Sequence, residues 1–246
     1  RQLGAEELHG FVQLLDPQGQ RVASMDDRLG PLYLPQRLWG PDRPYADEYE
    51  LTIPADLASG LYTPLIGVYT SPDDPARLPV NGPGQSVDGY RLEPIKILRR
   101  TWANPRAFRS DIYGSTAQLI GFDLDPETAT VAPGATLTLR VYYRAVRASD
   151  RDLTQFVHLY DPALGLVAQS DHRPTDGLNP TSTWLPGEVI VDTVVLKVND
   201  DAPRGTYSLL VGLYDPADGR RVPALGRDGA RWPDDAAALT SITVLP

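Results

Sequence analysis

Residues 203–216, Pro-Arg-Gly-Thr-Tyr-Ser-Leu-Leu-Val-Gly-Leu-Tyr-Asp-Pro, decide the fold. A glycine opens the stretch, a tyrosine follows two residues later, and aliphatic residues lead to a second tyrosine. Such a run, bounded by turn-forming residues, is typical of a central β-strand. Residues 58–69, Ala-Ser-Gly-Leu-Tyr-Thr-Pro-Leu-Ile-Gly-Val-Tyr, repeat the pattern 145 positions earlier. Two copies of one strand predict two copies of one fold.

Each copy carries an aspartate six residues before its first tyrosine: Asp56 precedes Tyr62, and Asp201 precedes Tyr207. With the glycine between them, this spacing resembles the tyrosine corner of immunoglobulin-like sandwiches, in which a tyrosine side chain ties down the connection between two strands. We therefore expect all four residues to be structural.

The repeat extends beyond this strand. When 11–73 is aligned with 156–218 at a constant offset of 145, 21 residues are identical, which indicates a tandem duplication. Trp39 and Trp184 belong to the repeat, and we interpret each as a plug over the end of its module. The sequence predicts an all-β protein of two tandem immunoglobulin-like antiparallel β-sandwich modules.

Composition and alternation place the module boundaries. We expect the first module over 1–99 and the second over 118–246. The intervening 100–117 contains arginines and a proline without sustained alternation, so it is predicted as a linker. Residues 45–53 alternate and predict a strand of the first module.

The first module is predicted to be incomplete at its N-terminus. The second module has two predicted strands, near 118–124 and 136–146, before its Phe156 strand. At the repeat offset, their counterparts would precede Arg1. We therefore expect the first module to lack its two opening strands, or to borrow cover from the linker or a neighbour, because a bare face would expose the core and an unpaired edge.

Composition excludes several classes of function. The net charge is −9 and the isoelectric point is near 4.8, so no basic stripe exists to bind nucleic acid or an anionic membrane surface. The absence of cysteine excludes disulfides, thiolate metal sites and cysteine nucleophiles. No apolar run is long enough to insert into a bilayer. The chain opens on Arg1 rather than Met, and we expect it to be a piece of a longer protein.

No motif for catalysis stands out, so we expect no enzyme, no cofactor and no metal. The three histidines, His9, His158 and His172, lack metal-site spacing. Repeated aspartates such as Asp47 and Asp192 are interpreted as turn and strand-end residues that bond their own backbone. A calcium site at Asp215 and Asp218 is the alternative, because loop acids at sandwich ends often bind this ion.

Aromatic residues are the best lead for a ligand site. Trp102 and Trp232 each occur once, in the predicted linker and in a polar loop rich in Pro and Asp. An aromatic side chain in a polar loop is a candidate platform for a sugar face or a partner protein. Together with Tyr90, these residues are the candidate ligand-binding residues.

Several phrases of the second module and the repeat resemble a known family. They are Ile120-Gly121-Phe122-Asp123-Leu124-Asp125-Pro126, Pro133-Gly134-x-Thr136-Leu137, Phe156-Val157-His158-Leu159-Tyr160-Asp161-Pro162, Pro180-Thr181-Ser182-x-Trp184-x-Pro186-Gly187-Glu188 and Gly205-Thr206-Tyr207 to Pro216. They resemble the soluble modules that follow the membrane part of bacterial dolichyl-phosphate-mannose mannosyltransferase-like glycosyltransferases. The resemblance implies an extracytoplasmic location and a membrane-embedded domain in the same polypeptide. The catalytic residues of that family belong to the membrane part, and none maps onto this chain.

Two functions remain open at this point. The first is a non-catalytic accessory module of a membrane-associated glycosyltransferase-like protein that binds glycan or cell-envelope polymer. The second is a structural spacer or protein–protein interaction module without a small ligand. An exposed aromatic strip on a sheet face or loop end would favour glycan binding, and its absence would favour the spacer.

Overall fold

The computed structural model describes residues 7–30, 34–40, 43–70, 77–79, 85–86 and 89–245. Within these ranges, regular structure consists of β-strands and four short 3-10 helices, which confirms the all-β prediction. The chain divides into two compact units, Arg1–Arg99 and Arg100–Pro246. Pro41 and Asp73, which belong to the predicted repeat, lie outside the described residues.

The first unit contains one six-stranded antiparallel sheet. Its longest strands run in the order β2-β1-β3, β5 and β4 continue the sheet, and β6 pairs with the start of β3. Among the described residues of this unit, no second sheet is found. The strands are β1 (His9–Leu15), β2 (Arg21–Arg28), β3 (Gly60–Tyr69), β4 (Gln85–Ser86), β5 (Gly89–Arg91) and β6 (Ile95–Ile97).

The second unit is a sandwich of two five-stranded sheets. The strands are β7 (Ala107–Tyr113), β8 (Ala117–Asp125), β9 (Thr130–Val131), β10 (Thr136–Ala145), β11 (Thr154–Asp161), β12 (Gly165–His172), β13 (Val189–Lys197), β14 (Gly205–Tyr214), β15 (Ala224–Leu225) and β16 (Ala237–Val244). One sheet has the order β13-β10-β8-β7-β15, and the other has the order β12-β11-β14-β16-β9. Apart from the parallel pair β9 and β16, neighbouring strands are antiparallel.

Alternate residues of both sheets point inward and build one core. On β10, Leu137, Leu139 and Val141 are buried, and on β14 the same holds for Leu209 and Val211. The division of strands, with β8, β10 and β13 in one sheet and β12, β11, β14 and β16 in the other, matches an immunoglobulin-like layout.

Both tyrosine corners are present. The hydroxyl of Tyr207 donates to the carbonyl oxygen of Pro203 at 2.7 Å, and that of Tyr62 donates to the carbonyl oxygen of Ala58 at 2.9 Å. The prediction is thus confirmed for the tyrosines. Asp56 and Asp201 are exposed and take no part in these two bonds, which backbone carbonyl oxygens accept, so their structural role stays a prediction.

The repeated tryptophans make the same hydrogen bond in both units. In each, the indole nitrogen donates to the backbone carbonyl oxygen of the residue five positions earlier. Trp184 donates to Asn179 at 2.9 Å, and Trp39 donates to Leu34 at 3.2 Å. Trp184 is a buried core residue beside Tyr143, as the plug interpretation requires. Trp39 is half-buried and stacks on Tyr45 instead, because no second sheet lies against its own among the described residues of the first unit.

The linker prediction is wrong in its second half. Strand β7 occupies 107–113 and pairs with β8 and β15, so it belongs to the second unit. Its alternation is hard to recognise because the buried positions include the polar Asp111, whereas Phe108 and Ile112 are exposed. A register shift between Phe108 and Asp111 interrupts the pattern further.

The strand predicted over 45–53 is absent: this segment has no regular structure. Its counterpart at the repeat offset is β13, an edge strand whose partner in the sheet is β10. In the first unit, this segment pairs with no strand among the described residues. A strand does not form without a backbone partner.

Replacing Tyr207 by Phe removes the hydroxyl of the second tyrosine corner and leaves the ring in place. We expect a loss of about 1 kcal/mol in the unfolding free energy of the second unit, the usual net value of one hydrogen bond. Urea unfolding followed by tryptophan fluorescence measures this loss. The control is Tyr160→Phe on an exposed tyrosine of the same sheet, which should change stability by less than about 0.5 kcal/mol. Equal effects of both changes would contradict the corner's role.

Candidate functional site

The outer face of β11 and β14 carries a packed aromatic ring. The ring of Phe156 lies against Gly212, where an added Cβ would clash with the phenyl Cζ. The guanidinium of Arg221 covers the ring at 4.4 Å from its centroid, a cation–π contact. The glycine of the central strand is therefore required for close approach of the phenylalanine ring.

The first unit repeats this arrangement. Phe11 lies against Gly67, where an added Cβ would clash with the ring, and the guanidinium of Arg77 is 4.5 Å from the ring centroid. Since both copies keep it, the Phe–Gly–Arg cluster is a packing element of the fold. A ligand site specific to the second unit has to lie beside it.

Trp232 lies beside this cluster at the start of a short 3-10 helix, Pro233–Asp235. Its indole nitrogen donates to Asp111 Oδ1 on β7 at 2.8 Å. Arg109 bonds both oxygens of Asp111, at 2.8 and 3.1 Å, and its guanidinium lies 5.7 Å from the Trp232 ring centroid. The half-buried ring is thus held in one orientation.

A carboxylate fixes the loop that carries Trp232. Arg231 donates two hydrogen bonds to Asp235, at 2.6 and 2.7 Å, and the amide of Ala224 donates a third at 3.2 Å. The bond from Arg231 is the main reason that the pKa of Asp235 lies below its usual value. Asp234 and Asp235 both have positive φ, near 51° and 52°, a conformation that these contacts help to maintain.

Two concave surfaces meet at Trp232. One, of about 450 Å³, lies on the outer face of the sheet and is lined by Phe156, His158, Tyr160, Leu210, Arg221 and Trp232, among others. The other, a groove of about 1060 Å³, runs between β7 and the 226–233 loop. Its charged residues are Arg109, Asp111, Arg227, Asp228 and Arg231. We call the first the outer-face cavity and the second the β7 groove.

The outer-face cavity combines aromatic surface with a few polar groups. Tyr160 is 38% exposed, and the Arg221 side chain donates to the carbonyl oxygen of Asp234 at 2.8 Å. Burial lowers the pKa of His158, although Asp171, at 3.8 Å, acts in the opposite direction. His158 is therefore neutral at pH 7 and offers one donor and one acceptor nitrogen.

Of the three predicted ligand-binding residues, Trp232 lines both concave surfaces. Trp102 is 40% exposed in the irregular segment before β7 and lines neither. Tyr90 is a half-buried residue of β5 in the first unit and also lines neither. The structure does not bring the three residues together into one site.

Asp215 and Asp218, the residues of the calcium alternative, both have protein partners. Asp215 pairs with Arg151 and also accepts the amide of Ala217 at 2.9 Å. Asp218 accepts both the amide and the side chain of Arg220, at 3.0 and 2.7 Å. These carboxylates serve as turn residues and arginine partners, and the described part of the chain has no group of three or more acidic or histidine residues suited to a metal.

A buried polar network that the sequence did not predict lies between the two sheets of the second unit. The carboxylate of Asp192 accepts bonds from the side chain of Gln155 at 2.6 Å, the ring of His172 at 2.9 Å and the backbone amide of Thr175 at 2.7 Å. Tyr143 in turn donates to Gln155 at 2.6 Å. Asp192 is thus a buried residue within β13, and its interpretation as a turn or strand-end residue is wrong. The one sequence feature that could have drawn attention to Asp192 is that the repeat keeps the same residue as Asp47.

Comparison with family models finds no match, and comparison with curated proteins finds none either. Among solved structures, the C-terminal domain of wzt is similar over 59% of this chain and 83% of its own, with 11% identity and a TM-score of 0.40. A putative membrane anchored protein from Corynebacterium diphtheriae is similar over 96% of this chain, with 11% identity and a TM-score of 0.21. This chain spans about half of that protein, matching 55% of its length. Neither likeness assigns the chain to a family.

A membrane-spanning helix is not found: within the ranges that the structure describes, no helix has the length and apolar character to cross a bilayer.

Replacing Gly212 by Ala places a methyl group against the Phe156 ring. We expect a loss of about 1–3 kcal/mol in unfolding free energy, the usual cost of overpacking. Thermal and urea unfolding measure it. Adding Phe156→Leu should recover part of the loss, because the smaller side chain leaves room for the methyl group. The control Gly40→Ala, where the nearest atom is 3.9 Å away, should be nearly neutral. An unchanged stability in Gly212→Ala would contradict the close packing.

The hydrogen bond to Asp192 raises the pKa of His172, and this effect exceeds that of burial, which lowers it. A raised pKa in the folded state stabilises the fold below the unfolded pKa, about 6.5, and this contribution is lost as pH rises through the folded value. We expect His172→Gln to cost more unfolding free energy at pH 5.5 than at pH 8.5, about 1–3 kcal/mol at the lower pH.

Urea unfolding of the wild type and the variant at both pH values tests this dependence. His158→Gln is the matched control. Burial lowers the pKa of His158, so its contribution is present at high pH and lost as pH falls through the folded value. The two variants should therefore change the pH dependence of stability in opposite directions. The same direction for both would show that the Asp192 contact does not determine the behaviour of His172.

Proposed function

We propose that the second unit is a non-catalytic glycan-binding module, and that a polysaccharide or other cell-envelope polymer lies across its outer-face cavity. The observation that carries this proposal is the concave surface of about 450 Å³ between Tyr160 and Trp232. It is an aromatic surface on a rigid sheet, the feature that favours glycan binding over a spacer.

The chemistry of the cavity suits a sugar. A pyranose ring has an apolar face of C–H groups and a rim of hydroxyls, so it is recognised by an aromatic face together with hydrogen-bonding groups. Tyr160 and Trp232 supply the aromatic surface. His158, Ser208 and Arg221 supply the polar groups at the same surface. Because Trp232 is anchored through Asp111, binding would not have to order its ring.

The charges favour a neutral or weakly anionic polymer. Arg109 and Arg231 are each neutralised by a bidentate carboxylate, Asp111 and Asp235 respectively. Arg221 remains the cation of the outer-face cavity, held by a backbone carbonyl. The chain as a whole carries a net charge of −9, which would repel a highly charged anionic polymer.

The resemblance to soluble modules of bacterial membrane glycosyltransferases supports a setting for this activity. In it, the chain is extracytoplasmic, is joined to a membrane-embedded domain of the same polypeptide, and holds a polymer near that domain. It needs no catalytic residue, cofactor or metal of its own for this task.

Retention of the full chain on immobilised bacterial polysaccharides, or on a glycan array, tests the proposal. We expect Tyr160→Ala and Trp232→Ala each to reduce binding by about tenfold or more, as loss of a central aromatic contact does. Trp102→Ala is the matched control, an exposed tryptophan outside both concave surfaces, and should bind like the wild type.

Trp232 also packs against the core, so its variant requires a thermal unfolding check. Tyr160 is exposed on the sheet surface, and Tyr160→Ala therefore separates binding from folding. Absence of retention by the wild-type chain, or equal retention by wild type and Tyr160→Ala, would overturn the proposal and favour the spacer function.

A further inference from the structure

The outer-face cavity and the β7 groove share two residues, Trp232 and Pro233, so the two concave surfaces meet at this loop. At about 1060 Å³, the β7 groove is more than twice as large as the outer-face cavity of about 450 Å³. Pockets for small ligands usually hold about 300–1,000 Å³. A ligand that occupied both surfaces would therefore be a chain that passes over Trp232.

Both walls of the β7 groove are held by hydrogen bonds within the second unit. One wall is β7 itself, which pairs with β8. The other wall is the 226–233 loop, where the amide of Gly226 donates to the carbonyl oxygen of Ala230 at 2.8 Å. The amide of Trp232 donates to the carbonyl oxygen of Ala224 on β15, also at 2.8 Å. The groove is thus formed before a ligand arrives, and binding would not have to order its loop.

Phe108 gives the β7 groove an aromatic surface of its own. This residue of β7 is 73% exposed, more than any other large apolar residue that the structure describes. A single exposed apolar residue is common on protein surfaces and needs no explanation by itself. Phe108 differs because it lines the same groove as Trp232, so each wall carries one aromatic side chain. Two such side chains suit the apolar faces of successive sugar rings.

The charged groups of the β7 groove compensate one another. Its arginines and the carboxylates beside them are equal in number: Arg109, Arg227 and Arg231, with Asp111, Asp228 and Asp235. The groove therefore has no net charge that would select an anion or a cation. Guanidinium groups donate and carboxylates accept hydrogen bonds, which matches hydroxyl groups, since each hydroxyl does both. These properties favour a neutral chain rich in hydroxyl groups.

We propose that the β7 groove is a second subsite for the same polymer, so that the second unit binds a stretch of several neutral sugar residues rather than a single sugar. Tyr160 contacts one part of this stretch, Phe108 contacts another, and Trp232 contacts the part between them. The inference rests on the proposed function, because the polymer reaches the groove from the outer-face cavity.

Fragments of the polysaccharide that retains the wild-type chain test the length of the bound stretch. A disaccharide and a decasaccharide are separated by size after partial hydrolysis, and calorimetry measures the affinity of each for the full chain. We expect the decasaccharide to bind about tenfold more tightly or better, because it occupies the second subsite without a second association. A longer fragment also offers more binding registers, so the decisive comparison is between variants.

Phe108→Ala should weaken decasaccharide binding by about fivefold, the usual value of one aromatic contact, and should leave disaccharide binding unchanged. Ile112→Ala is the matched control, an exposed apolar residue of the same strand that does not line the groove, and should leave both affinities unchanged. Tyr160→Ala should weaken both fragments. The decasaccharide affinity should be the same at low and high sodium chloride concentration, because no net charge is neutralised.

Hydroxyl-radical footprinting of the wild-type chain provides a second readout that needs no variant. The decasaccharide should protect both Tyr160 and Phe108 from oxidation, whereas the disaccharide should protect Tyr160 alone. Ile112 should remain unprotected with either fragment. Protection of Tyr160 without Phe108 by the decasaccharide would overturn the inference and would leave Phe108 as a contact for a protein partner.

Equal effects of Phe108→Ala on both fragments, or no effect on either, would also overturn the inference. A marked loss of affinity at high salt would overturn the assignment of a neutral chain. In each of these cases the outer-face cavity would stand, provided that Tyr160→Ala still weakens binding. Absence of binding by the wild-type chain would instead overturn the proposed function, and this inference with it.

Discussion

A β-sheet with one apolar face requires a second layer, and each of its strands requires a backbone partner. The second unit meets both requirements with two five-stranded sheets around one core. The first unit has kept the sheet that corresponds to β12-β11-β14 and has no second sheet among its described residues. Most differences between the two units follow from this single constraint.

Contacts within one sheet, or between a loop and the strand next to it, are the same in both copies. The tyrosine corners, the indole hydrogen bonds of Trp39 and Trp184 and the Phe–Gly–Arg clusters are examples. Contacts that cross between sheets differ. Trp184 meets Tyr143 of the second sheet, whereas Trp39 stacks on the locally available Tyr45.

The geometry of the candidate site depends on a contact of long sequence separation. Trp232 is oriented by Asp111, which lies 121 residues earlier in β7. Asp111 is in turn held by Arg109. A loop supported in this way presents its aromatic ring without a large ordering cost, which is the property that a binding surface on a rigid sheet needs.

The sequence alone determined the duplication, the all-β class and the strands of the repeat. Alternation and turn residues are patterns among neighbouring residues, and the constant offset is found by comparing the sequence with itself. It also identified the tyrosine corners, and it singled out Trp232 as a candidate ligand-binding residue. The tertiary structure alone decided that 45–53 is not a strand, that 107–113 is one, and that Asp192 lies in a buried network with His172. Each of these depends on a partner distant in the chain: whether a strand pairs, or whether a carboxylate is bonded, is set by what lies opposite it, and no local pattern contains that information.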